Sequence, residues 1–221
     1  MANIFTIGYS AFGIDEFIDE LQKNSIVCVV DVRSNPVSGE YYKDYNGYNL
    51  EKILKQHDIH YRSYAREFGA RQDDPAFFSD EGYVDFEKFT QSEQFKNGLA
   101  KVKAGFDKNY NCVLMCAEKD PINCHRSIMI AHALQKTGIE VLNILGNGKI
   151  ERQSETEQRL LNIYFPNRKQ QRLFEEIPAE EVLIEQAYKK QNEKIGYRLE
   201  NIWRSSQLDI HKKVLKSFLT Y

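Results

Sequence analysis

Apolar positions along this chain switch repeatedly between a short continuous rhythm and a helical one. Ile4 to Ile7 is an apolar run closed by Gly8-Tyr9-Ser10, which predicts a strand and a turn. Ile14, Phe17, Ile18 and Leu21 then recur at helical spacing, predicting an amphipathic helix that ends near Asn24. Ile26 to Val32 is almost unbroken and β-branched, the pattern of a strand covered on both faces of a parallel sheet. A helix over 50–56 and a weaker strand over 59–64 follow. An irregular charged section over 65–84 comes next, then a helix over 86–103. Further on come a strand over 112–115, a helix over 128–135 stopped by Gly138, and a fifth strand within 138–145. A polar loop over 146–154 leads to a helix over 156–164.

Strands alternating with helices in this way predict an α/β fold: an open, mostly parallel sheet with helices on both faces, a Rossmann-like three-layer arrangement. The core domain is expected to span 1–165. From Asn167 the character changes to long, charged, helix-favouring sequence, over 180–194 and again over 197–221. This predicts a C-terminal helical extension over 166–221 that packs on the core or on a partner subunit, and so offers a surface for homo-oligomer formation.

Composition narrows the function classes. Of the 221 residues 42% are apolar and 28% charged, a globular balance rather than a disordered one. The net charge of −2 does not indicate a generally basic nucleic-acid binder. In the extension, 11 Lys and Arg alternate with 8 Asp and Glu instead of clustering, so it does not read as a nucleic-acid arm. No apolar run is long enough for a membrane span. The start lacks the charged and apolar regions of a signal peptide, and Cys28 and Cys112 lie inside strand-like runs where free thiols are usual. The expected location is the cytoplasm.

Candidate chemistry gathers after three predicted strands, where ligands of open parallel sheets bind. These ends carry Gly8, Tyr9 and Ser10; Asp31, Arg33 and Ser38; and Cys116, Glu118, His125 and Arg126. Arg33 and Arg126 present planar forks of donors suited to a phosphate or carboxylate, Gly8 allows close backbone approach, and Ser10, Asp31 and Ser38 complete a ligand-binding set. Asp31 and Arg33 read equally well as an ion pair that fixes their loop. Cys116, at a strand end facing a helix start and Arg126, is the candidate nucleophile, with Glu118 or His125 as proton carrier. Strand, cysteine, loop, arginine, serine and helix is the layout of phosphate-handling cysteine enzymes and sulfur transferases. The loop here is longer than the phosphatase cradle and lacks its glycines. Cys116, Cys124 and His125 also form a candidate metal set, with Glu118 or Asp120 as a fourth group, although Cys-x7-Cys is not a usual zinc spacing. A Cys116–Cys124 redox pair is a further option.

Four runs resemble one family. They are Thr6-Ile7-Gly8-Tyr9-Ser10, the run from Val30 to Ser38, the run from Leu114 to Ser127, and, more weakly, Glu67-Phe68-Gly69-Ala70-Arg71, where the family more often has two adjacent glycines. Together they resemble the bacterial and archaeal domain of unknown function 488 over about 1–164. The resemblance implies an α/β fold and strand-end motifs that act together. It implies no established reaction, substrate or cofactor.

The first expectation is a protein that binds a small anionic molecule, a nucleotide or a phosphate- or sulfur-containing compound, with cysteine-dependent transfer or hydrolysis. The alternatives are a non-catalytic module sensing a nucleotide or nucleic-acid end, and a metal-dependent hydrolase using Cys116, Cys124 and His125. No cofactor is assigned.

Overall fold

The computed structural model describes residues 2–168 and 178–198. The expected second helical stretch of the extension, over 197–221, lies almost entirely outside the described residues. In chain order the elements are β1 (Ile4–Gly8), α1 (Ile14–Lys23), β2 (Cys28–Asp31), α2 (Gly47–Gln56), β3 (His60–Ser63) and the short α3 (Ala65–Phe68). Then follow α4 (Phe86–Thr90), α5 (Glu93–Asp107) and β4 (Cys112–Cys116). A π-helical turn over Arg126–Ala131 runs into α6 (His132–Gln135), succeeded by β5 (Val141–Ile144), β6 (Ile150–Arg152), α7 (Gln153–Tyr164) and α8 (Glu180–Ile195).

The strands form one sheet in the order β3-β2-β4-β1-β5-β6, parallel except for β6. Period-two alternation sorts the core onto its two faces. Phe5, Ile7, Val29, Val113 and Met115 point to the side covered by Phe17, Ile18 and Leu21 of α1 and Leu50 and Leu54 of α2. Ile4, Val30, Cys112 and Leu114 point to the side covered by Phe95 and Val102 of α5, Ile128 and Met129 of the π turn, Leu160 of α7, and Ala187 and Tyr188 of α8. Each fully buried Leu, Ile or Phe contributes about 1.5–3 kcal/mol. The result is a three-layer α/β fold. No helix among the described residues is long and apolar enough to cross a membrane.

Three local features differ from the sequence pattern. The helix over 86–103 is two, because Ser92 caps a new one: its Oγ accepts from the N–H of Phe95. The loop over 146–154 contains the sixth strand, turned by Asn147-Gly148 with Gly148 at φ +71°, a common hairpin signal. The helix after Cys124 begins as a π turn whose six residues are all buried.

Helix α8 packs on α7 and the π turn. Asn192 clamps the chain before α4, donating to the Val84 carbonyl and accepting from the Phe86 N–H. His132 stacks on the Tyr188 ring at 3.6 Å, with Glu185 3.3 Å from its Nε2, Glu157 4.0 Å from its Nδ1, and Lys136 close by. Burial, reinforced by Lys136 and only partly opposed by Glu185, pushes its pKa down to about 4. The folded protein therefore holds His132 neutral, whereas the unfolded chain protonates it near the ordinary value of about 6.5. The unfolded state binds the extra proton between these limits, so stability contributed at neutral pH is lost as pH falls from about 6.5 to 4, on the order of 2–3 kcal/mol. Urea unfolding at pH 7 and 4.5 checks this: the loss on acidification is expected to shrink in His132→Phe, and equal losses would refute it.

Candidate functional site

Insertion of β4 between β2 and β1 makes the carboxyl ends of these three strands adjacent. Gly8 stands in register with Cys116, and Asp31 with Met115. The three polar strand-end segments, far apart in sequence, thus share one rim. Their side chains have distinct positions there.

On the α1–α2 side, Asp31 is fully buried and Arg33 nearly so. Asp31 Oδ1 accepts from the Arg33 backbone N–H and Nε, and Oδ2 accepts from Arg33 Nη2 and, at 2.7 Å, the Tyr61 hydroxyl. Arg33 also donates to Ser38 Oγ at 2.9 Å and to the Tyr45 carbonyl at 2.8 Å, and its guanidinium lies over the Tyr9 ring. Burial opposes the charge on Arg33, but Asp31 outweighs it and raises the Arg33 pKa. The fork of Arg33 is largely occupied by this loop, which takes every donor but one Nη1 hydrogen. Asp31 and Ser38 hold Arg33 in place.

On the opposite side, Arg126 is completely buried. It donates to the carbonyls of Glu118, at 2.7 Å, and Lys119, at 3.4 Å, and to Thr6 Oγ1 at 3.3 Å. Among the described residues it forms no ion pair with a carboxylate. Ser10 donates to the Ala117 carbonyl from both its hydroxyl and its backbone N–H. Gly8 completes the seat, because a Cβ there would lie 1.9 Å from the Glu118 carbonyl oxygen. Gly8, Ser10 and Arg126 therefore meet the backbone that leaves β4.

That backbone makes a short excursion and returns. Asp120 caps the turn over Pro121–Asn123 by accepting from the Ile122 N–H, and Arg159 holds Asp120 at 2.6 Å. Gln191 of α8 donates to the Ile122 carbonyl at 2.7 Å. The return brings Cys124 and His125 under Cys116. His125 Nδ1 lies 3.8 Å from Cys116 Sγ and 3.9 Å from Cys124 Sγ, and Nε2 lies 2.9 Å from the Val32 carbonyl oxygen. A carbonyl can only accept, so Nε2 carries a proton, and in the neutral form of the ring Nδ1, which faces both sulfurs, is the unprotonated nitrogen. The Cys124 thiol donates to Glu118 Oε2 across 2.9 Å. No disulfide joins the cysteines.

The two thiols differ in acidity. Cys116 is pushed well above its ordinary pKa by its hydrogen bond to Cys124 and then by burial. Burial also opposes ionisation of Cys124, but the Cys116 thiol, Arg126 and His125 prevail and draw its pKa well down. Burial and then Cys124 raise Glu118. Burial disfavours the His125 cation, yet its hydrogen bond to Cys124 prevails and raises it. The more acidic thiol is Cys124, a residue that sequence reading ranks behind Cys116 because it sits beyond the strand end.

Above this group opens a crevice of about 270 Å³ lined by Tyr9, Arg33, Arg71, Cys116, Glu118 and His125, among others. Sequence reading places Arg71 only within the Glu67–Arg71 run and not among the candidate site residues. Its guanidinium leans on the Tyr197 ring and forms no ion pair among the described residues. A second cavity of about 280 Å³, between α4–α5 and α8, lies away from this chemistry.

A buried polar chain underlies the site. Thr6 Oγ1 donates to Asn143 Oδ1 at 2.7 Å, and Asn143 Nδ2 donates to Gln153 Oε1 and Thr156 Oγ1. Gln153 also accepts from Ser127 and donates to the Tyr188 hydroxyl. It connects Arg126 to α8, with side chains spaced too widely in sequence to announce themselves.

The fold and rim define a three-layer α/β protein with a Cys-Cys-His group at its strand ends. The chain belongs to the family described as Domain of unknown function DUF488, whose model matches residues 13–133. That range includes the second-strand run and the whole Cys116–Arg126 segment, and leaves the first-strand motif just outside. No curated protein and no solved structure matches the chain.

Proposed function

We propose that the protein binds a small anionic molecule in the strand-end crevice and acts on it in a reaction that depends on Cys116, Cys124 and His125. The observation that carries this reading is the approach of both sulfurs to the Nδ1 of one oriented imidazole, with Cys116 and His125 lining the crevice and Cys124 buried against His125. Arg71, with no carboxylate partner among the described residues, supplies positive charge to the crevice, Arg33, already paired with Asp31, lends a donor, and Tyr9 supplies an aromatic wall. The volume suits a phosphate, thiosulfate or small nucleotide rather than a macromolecule. Glu118, with its raised pKa, is the proton carrier next to the acidic thiol. Four unpaired thiols persist in a reducing compartment, and the reading assigns the protein to the cytoplasm.

Calorimetric titration with inorganic phosphate, thiosulfate and adenosine monophosphate tests the reading. At least one is expected to bind, and Arg71→Ala is expected to weaken it about tenfold, equivalent to roughly 1.4 kcal/mol. Turnover is expected for the native chain and not for Cys124→Ser, read either as sulfite released from thiosulfate while its outer sulfur bonds to a cysteine thiolate, or as phosphate released from adenosine monophosphate with water as the second reactant. Binding without turnover would leave a sensor in place of an enzyme. No binding of any of the three would remove the proposal.

A further inference from the structure

The geometry points to a thiolate–imidazole metal centre in the floor of the crevice, in which Cys116, Cys124 and His125 hold a zinc-class divalent cation. It rests on the crevice reading above and names the chemistry of its floor. The two sulfurs and Nδ1 all lie within 4.8 Å of one another, and the sulfur–nitrogen separations are 3.8 and 3.9 Å. A tetrahedral ion with Zn–S of about 2.3 Å and Zn–N of about 2.0–2.1 Å needs ligand atoms roughly 3.6 Å apart, so small rotations of the side chains suffice. Two sulfurs and one imidazole form a borderline-soft donor set, which favours zinc over calcium or magnesium.

Three features outside the ligand atoms fit the same conclusion. The Val32 carbonyl fixes the His125 tautomer that leaves Nδ1 unprotonated, the usual support for a ligating histidine. Arg126, fully buried without a carboxylate partner among the described residues, requires negative charge nearby. A divalent cation with two thiolates and the Glu118 carboxylate, beside that guanidinium, is electrically neutral as a whole. Finally, the unusual Cys-x7-Cys spacing is explained locally: the Asp120-capped turn carries the chain away from β4 and back, so the second cysteine arrives beneath the first. Three protein ligands would leave one position of a tetrahedral ion unfilled, and Cys116, His125 and Glu118 all line the crevice.

Cobalt(II) added to the metal-free, reduced, full-length chain provides the test. The expected result is thiolate-to-cobalt charge-transfer absorption with tetrahedral d–d bands, displaced by zinc. Cys116→Ser and Cys124→Ser are each expected to weaken cobalt binding at least about 100-fold, while Cys28→Ser leaves it unchanged. A folded native chain without charge-transfer absorption would overturn the inference, as would absorption that survives in Cys124→Ser. Should the serine variants fail to fold, iodoacetamide labelling of the native chain decides. Protection of Cys116 and Cys124 by zinc supports the centre, and equal labelling with and without zinc refutes it. Ready oxidation to a Cys116–Cys124 disulfide under saturating zinc would replace the metal centre with a redox pair. Anion binding without cobalt bands would remove the metal and leave the crevice reading standing; cobalt bands without anion binding would do the reverse.

Discussion

Asp31→Ala is expected to lower the unfolding free energy by about 3–5 kcal/mol, measured by urea denaturation followed by circular dichroism. The carboxylate is fully buried and accepts four hydrogen bonds, three from Arg33 and one from Tyr61. Its removal leaves a nearly buried guanidinium whose remaining neighbours, Ser38, the Tyr45 carbonyl and the Tyr9 ring, carry no charge. The large effect comes from that stranded charge, more than from the attraction the pair gains over hydration. The double variant Asp31→Leu/Arg33→Met, which removes both charges, should therefore recover part of the loss. A loss below about 1 kcal/mol in Asp31→Ala would mean that water reaches Arg33, and the pair would be no more than an exposed one. Because Arg33 forms one wall of the crevice, the same variant should also weaken binding of whichever anion the native chain takes.

This pair illustrates what could be read before any coordinates. The continuous β-branched run over 26–32 marks β2 as a strand covered on both sides, and the residues just past its end must then lie on the sheet's rim. Ile14, Phe17, Ile18 and Leu21 similarly define the buried face of α1. Periodicity reports the direction of Cβ, so it recovers layers and strand ends well. It does not report where a long side chain finishes. Arg33 and Arg126 look alike as strand-end and helix-start arginines, yet one reaches a carboxylate and the other two backbone carbonyls.

Other features were legible only in part. Asn147-Gly148 carries a hairpin signal, but the three-residue β6 is too short for its alternation to register. Ser92 marks a cap inside what otherwise looks like one amphipathic run. The π turn over Arg126–Ala131 has no compositional cue, because the tertiary surroundings that bury all six residues select it. Thr6, Asn143 and Gln153 carry no sequence signal as a group. Their meeting depends on the pairing of β1 with β5 and on the docking of α7. The candidate site therefore divides: its strand-end members follow from topology, while Cys124, the His125 tautomer and the supporting network follow from tertiary packing.

Gly8→Ala is expected to damage the site more than the fold, although it adds only one methyl group. The new Cβ would sit 1.9 Å from the Glu118 carbonyl oxygen and 2.8 Å from its carbon. Both are backbone atoms, so no rotamer change relieves the clash. Either β1 must move in its register against β4, or the 117–119 segment must lift off. Lifting would break the Ser10 contacts to Ala117 and the Arg126 contact to Glu118, and strand the buried guanidinium. Overpacking of this kind costs about 1–3 kcal/mol, and the lost polar contacts add to it. The effect on the site should exceed the effect on the fold, since a displacement of about 1 Å can cost on the order of 100-fold in a positioned group. Cobalt affinity and anion affinity are therefore expected to fall by more than the thermal stability implies. The measurement is the pair of titrations beside a melting curve for Gly8→Ala. Native-like affinity for both probes would show that the Gly8–Glu118 contact does not position the Cys-Cys-His group, and that the rim is more yielding than its packing suggests.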